Sequence, residues 1–189
     1  MRTPIMLVAA ALILACGRGD RDTTDTSGAV GASASGMTGM DHPAAKDADN
    51  EFLRNMADHH EGLVQMASTA MTKASKSTTQ GDAHNLHTKQ AAERDSMVAM
   101  LRSAYNDSHT PMVMEKNRAQ NDSLQRLSGA EYDRTFYRLV VDHHREGIAM
   151  IDAMLSRLTK PDVRSMAEMM KADQQKEITE FQRKASSGA

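Results

Sequence analysis

The chain repeats itself. A shift of 84 positions (58 to 142) lays Asp58-His59-His60 on Asp142-His143-His144 without a gap. The same shift pairs Asp49 with Asp133, Phe52 with Phe136, Arg54 with Arg138 and Met66 with Met150. Further along it pairs Ala83 with Ala167, Gln90 with Gln174 and Glu93 with Glu177. A duplicated unit has to bury its apolar face against its own copy, which restricts the fold to two similar halves.

Each half reads as two helices. Phe52, Met56, His59, Leu63, Met66 and Ala70 recur at spacings of four and three, as do Phe136, Val140, His143, Gly147, Met150 and Met154. That is the pattern of one buried helix face. Leu86, Gln90, Glu93, Met97 and Met100 form the second stripe, and Met170, Gln174, Glu177 and Phe181 its copy. With 4 Pro and 11 Gly in 189 residues, much of the Gly before residue 40, little interrupts long helices. Ser128-Gly129-Ala130-Glu131 fits a capping box opening the third long helix, and Pro161 suits the first turn of the fourth. The expected architecture is all-α: a four-helix bundle from two hairpins, residues 48–107 and 130–187, joined by a connector over 108–129. Thr110-Pro111 is expected to start a short helix running to Leu127.

The informative residues are polar ones on apolar stripes. His59 and His143 point inward, and His60 and His144 lie about 100° further round each helix, still beside apolar neighbours. Glu93 and Glu177 take matching inward positions. Burying such groups without partners costs several kcal/mol, roughly, and far more for a charge. They are therefore paired, wet or bound to something. Imidazole is the commonest metal side-chain ligand, and a carboxylate completes a site or orients a histidine. The alternative is a satisfied polar core that sets hairpin register. Asp58 and Asp142 fall towards the polar side of their helices, beside Arg54 and Arg138 at i−4, and are assigned to ion pairs or helix-surface roles rather than to ligation. His84 and His87 are helix neighbours without repeat partners, and His42 and His109 are expected in solvent.

Met occurs 16 times while aromatics make up 3%. Most methionines, including Met66, Met150, Met154, Met166, Met169 and Met170, suit gap-filling in the core. Thioethers beside imidazoles are also what a soft ion such as Cu(I) binds, and Met37, Met40 and His42 lie within six residues of one another. A plain polar linker accounts for that segment equally well.

The N-terminus reads as an address. Arg2 precedes an apolar run from Ile5 to Leu14, the length of a signal segment and too short to span a bilayer. Ile13-Leu14-Ala15-Cys16 resembles a bacterial lipobox, making residues 1–15 a signal peptide and Cys16 a lipidated anchor to the membrane. An ordinary signal peptide that leaves Cys16 as a thiol is the alternative. Gly17 stands where an inner-membrane retention signal has Asp, which favours the periplasmic face of the outer membrane. Residues 16–47, rich in Gly, Ser, Thr, Ala and Asp, read as a tether. A single cysteine excludes an intrachain disulfide, and a net charge of −2 gives no footprint for nucleic acid.

The segment Leu127-Ser128-Gly129-Ala130-Glu131-Tyr132-Asp133, with Asp142-His143-His144 and Met150 following, resembles the domain-of-unknown-function 305 family. Asp58-His59-His60 with Met66 repeats its paired-histidine signature, and the likeness spans roughly residues 48–185. The resemblance implies a secreted protein of the ferritin-like superfamily made of repeated helical hairpins. Some members are associated with copper binding or tolerance in the envelope. It implies copper as the metal, His59, His60, His143 and His144 as the motif residues, and Met66 and Met150 as weaker candidates. The di-iron pattern is missing, because no Glu here has His three residues later. Neither Gly-x-Ser-x-Gly nor His-Glu-x-x-His occurs, so a metal-binding lipoprotein is expected ahead of an enzyme. A structural or adaptor lipoprotein is the competing reading, with an envelope partner the sequence leaves unidentified.

Overall fold

The computed structural model describes residues 44–187. The signal segment, Cys16 and the Met37–His42 cluster lie outside these residues. Five helices follow in order: α1 (Ala48–Lys73), α2 (Ser77–Tyr105), α3 (Glu115–Gln125), α4 (Gly129–Met154) and α5 (Pro161–Ser186). A 3-10 turn, Leu155–Arg157, closes α4. Among the described residues there is no strand, and no helix is long and apolar enough to cross a membrane.

Local chemistry sets the ends of the hairpins. Asp47 caps α1 by accepting from the Asn50 N–H at 2.8 Å, and Asp49 and Glu51 sit at its positive end. Asn106 closes α2 in the left-handed region at φ 49°, which Asn tolerates better than most side chains. Pro161 opens α5 as expected. Ser128 precedes α4 as expected, but its hydroxyl makes no cap bond. Gly129 follows it at φ +58°, a backbone other residues rarely adopt, and the Ser128 carbonyl accepts from Tyr132 N–H instead.

The connector departs from expectation. Its helix covers only Glu115–Gln125, and residues 106–114 run without helix. Pro111 disfavours helical backbone at Thr110, and the segment gains other partners by lying along α1. Asp107 bonds Arg54 at 2.6 Å and Asn50 at 2.9 Å. His109 and the Met112 N–H reach Asp58 at 2.9 and 2.8 Å.

The two hairpins are locked reciprocally by equivalent residues. Asp133, at the start of α4, accepts from Ser75 N–H, Ser75 O–H and Lys76 N–H in the α1–α2 turn, at 2.8, 2.6 and 3.1 Å. Asp49, at the start of α1, accepts from Thr159 N–H and O–H in the α4–α5 turn, at 3.1 and 2.5 Å. Each carboxylate is fully buried. The start of α1 thus meets the end of α4, so the two helices run antiparallel about a pseudo-twofold axis.

That axis splits the core into two apolar clusters. Leu63, Met66, Tyr132, Phe136, Val140 and Phe181 belong to one. Phe52, Met56, Met97, Leu101, Ile151 and Met170 belong to the other. Phe136 and Phe52, at 0 and 2% exposure, are equivalent anchors, each contributing about 2 kcal/mol by burial. Met169 is 61% exposed, contrary to the core role expected for it, because Met170 takes the buried position on α5.

Candidate metal centre

Between the two apolar clusters lies a polar layer. His59 and His60 from α1 and His143 and His144 from α4 are all at most 1% exposed. His59 and His143 stack face to face, with ring centroids 3.8 Å apart and planes 25° from parallel. Their neighbours His60 and His144 lie outward along the same helices, at centroid distances of 6.1 and 6.3 Å. The stripe spacing placed His59 and His143 inward; His60 and His144, about 100° further round, are buried as well, and the layer draws equally on both repeats.

The inner pair is electrically neutral. Burial first, then the neighbouring imidazoles, push the pKa values of His59 and His143 well below 6.5. Neither nitrogen of His59 has a hydrogen-bond partner. His143 Nε2 also lacks one, and its Nδ1 meets the Asn117 amide only at 3.4 Å. Asn117, on α3, comes in over Gly62, where a Cβ would stand 2.7 Å from its Cγ.

The outer pair is backed by carboxylates. His60 is held at both ends: Nδ1 by the Met56 carbonyl at 2.9 Å and Nε2 by Glu93 at 2.9 Å. His144 Nε2 stands 2.7 Å from Glu177 Oε2 in a close electrostatic pair, and its Nδ1 has no partner. Burial alone would raise the Glu177 carboxyl. His144 and Lys89, the latter at 2.9 Å, outweigh burial and hold it below its usual range.

Gln174, which the sequence reading left outside the site, belongs to this layer, and its repeat partner Gln90 shares its burial and its missing partners. Gln90 and Gln174 are buried, and neither amide oxygen nor nitrogen has a partner. A Cβ at Gly147 would stand 2.7 Å from Gln174 Oε1 and 3.1 Å from His59 Cε1, so Gln174 reaches the histidine stack. Their match at the same offset as the histidines was the available signal.

Met66 and Met150 sit in opposite apolar clusters, Met66 fully buried and Met150 partly so. Asp58 is not on the polar side; it is 3% exposed and bonds His109 and the connector backbone, while Arg54 turns to Asp107. That guanidinium holds the Asp107 carboxyl down at about 2. Asp142 is exposed as expected but pairs with Arg145 at 3.1 Å, not with Arg138. His109 is 8% exposed rather than solvated, because the connector folds it onto Asp58. His84 is exposed and His87 half-buried on α2.

The donor set suits a transition metal: buried neutral imidazoles with unpartnered nitrogens, and carboxylates behind two rings. Among the described residues, no three of His, Cys, Asp or Glu already stand in a ligating cluster.

The family described as Domain of unknown function (DUF305) matches residues 15–101 and again 102–185. The chain belongs to the DUF305 family. The double match agrees with the internal repeat. Solved DUF305 structures share the fold. A fragment from Deinococcus radiodurans superposes with a TM-score of 0.66 at 24% identity, over 77% of this chain and 99% of its own. A DUF305 protein from Streptomyces coelicolor gives 0.65 at 24%, over 73% and 90%. CopM in its Cu(I)-bound form gives 0.64 at 21% identity, over 74% and 96%. No curated protein matches the chain.

Proposed function

We propose that this DUF305 chain is an exported lipoprotein that binds copper in its central histidine layer and sequesters it at the cell envelope. One observation carries the reading: His59 and His143 meet at 3.8 Å, neutral and with three of their four ring nitrogens unpartnered. A core that needed polar groups only for register would satisfy them, as it does His60. His59 and His143 are the first candidate ligands. His60 and His144 join them or are oriented from behind by Glu93 and Glu177, with Met66 and Met150 as outlying thioethers. A bound copper ion would supply a centre for ion storage and transfer, and no catalytic role is needed. CopM, which shares the fold, has been solved with Cu(I), Cu(II) and silver, and this supports copper as the ion. Anchoring through Cys16 would hold the domain at the periplasmic face of the outer membrane.

Titration of the purified full-length protein with Cu(I) and Cu(II) under competition tests this. The double variant His59→Ala/His143→Ala is expected to lose at least tenfold in affinity while keeping its helical spectrum. Unchanged binding in that variant removes the core site, and loss only on deleting residues 36–42 moves the site to the N-terminal segment.

A second reading is favoured by the close backing of His60 and by the missing ligating cluster among the described residues. In it the layer only fixes hairpin register in a structural lipoprotein. It predicts that His59→Ala lowers stability and leaves copper content at background.

A further inference from the structure

The two repeats treat one groove differently. In the first, Arg54, Ala57 and Asp58 on α1 and Leu101 on α2 are all buried. The connector covers this face. It descends with alternating burial, Asp107, His109 and Val113 inward and Ser108, Thr110 and Met112 outward. Asp107 seats on Arg54, and His109 with the Met112 N–H seats on Asp58.

The equivalent positions of the second repeat are Arg138, Val141, Asp142 and Ala185. With Arg145, Gln182 and Ser186 they line an open groove of about 340 Å³ between α4 and α5. Arg138 is exposed, and among the described residues its hydrogen bond goes to the Thr135 hydroxyl at 2.7 Å rather than to a carboxylate. Arg145 replaces Glu61 of the first repeat and Ser186 replaces Arg102, so both faces carry two guanidinium groups, but this groove carries one carboxylate, Asp142, where its counterpart carries two, Asp58 and Glu61.

We propose that this groove docks an extended, acidic peptide segment of a partner protein, in the manner in which the connector occupies the first repeat. The occupant places a carboxylate on Arg138. Two residues further on, it presents an imidazole or a backbone N–H to Asp142. A guanidinium takes a carboxylate in a charge-assisted pair, and alternating side chains of an extended segment give the register. The loss of the Glu61 carboxylate from this face favours a more acidic segment than the connector itself. This inference stands apart from metal binding.

The molecule supplies its own probe. A synthetic peptide of the connector, Asn106 to Met114, is added to the full chain and followed by backbone amide NMR. The expected result is saturable shifts confined to the Arg138–Arg145 and Gln182–Ser186 stretches. Arg138→Glu in the protein, or Asp107→Asn in the peptide, should weaken binding at least tenfold. Replacing Asn106 by Asp in the peptide should tighten it. Absence of shifts up to millimolar peptide would overturn the proposal. So would shifts along α1 and α2, affinity indifferent to Arg138→Glu, or a groove closed by concentration-dependent self-association.

Discussion

His60 and His144 occupy the same place in their hairpins and are held differently. His60 is gripped at both nitrogens, whereas His144 meets its carboxylate at Nε2 alone and leaves Nδ1 unpartnered. Asp58 and Asp142 differ more: one is sealed under the connector, the other pairs with Arg145 in solvent. Asp49 and Asp133, by contrast, do the same work in both halves. Duplication preserved the clamps that close the bundle, while the single connector divided the halves into a covered face and an open one. The copies are equal where they hold each other and unequal where only one has a third element beside it.

The comparison breaks most visibly at the clamps. Asp49→Ala and Asp133→Ala each remove a fully buried carboxylate that accepts from two backbone N–H groups and a hydroxyl of the opposite turn, three charge-assisted bonds, so each should lose about 3 kcal/mol. Urea denaturation reads this as a lower midpoint, similar for the two variants. A clear inequality between them would end the reciprocal-lock account.

Asp58→Ala should lose roughly 2 kcal/mol, since it leaves His109 and the Met112 N–H without their acceptor. Asp142→Ala should change stability by less than about 0.5 kcal/mol, as its exposed pair is worth little. The same denaturation curves test the contrast, and equal losses would refute it.

Gly147→Ala places a methyl against Gln174 and His59, for an expected loss of about 1–2 kcal/mol. Gly81→Ala, which meets nothing within 4 Å, should be neutral or stabilising. Thermal melts of the two variants separate crowding in the histidine layer from a general helix effect.

The pH response comes next. The folded pKa values of His59 and His143 lie well below 6.5, so the unfolded chain binds protons there that the folded one refuses. Stability contributed by these two is therefore complete above 6.5 and falls as pH drops below it. The slope is at most about 1.4 kcal/mol per pH unit for each ring. Denaturation midpoints between pH 7 and 5 should fall in the wild type and flatten in His59→Gln/His143→Gln.

Much of this was legible in the chain. The three-and-four spacing of Phe52, Met56, His59 and Leu63 puts one histidine of each triplet on the buried seam, and the constant offset requires two such seams. Other features depend on neighbours that spacing does not disclose. Asp49 and Asp133 matched in the repeat, but their role lies in a turn of the opposite hairpin, 110 and 58 residues away. Asp58 was assigned to the polar side of its helix, beside Arg54, because spacing along one helix was all the sequence offered. The connector brought His109 from 51 residues away and drew Arg54 to Asp107. Gln90 and Gln174 passed as ordinary repeat matches, since an amide on a stripe shows its missing partners only once the core is closed.

The central claim is that the unpartnered imidazoles of the two repeats receive a metal together. Imidazole nitrogen NMR on the domain with Ag(I), a diamagnetic stand-in for Cu(I), tests it most directly. The account predicts that His59 and His143 nitrogens shift in concert, with one stoichiometric endpoint, while His84 and His87 stay unmoved. Shifts confined to the two surface histidines, with the stacked pair unchanged, would contradict it.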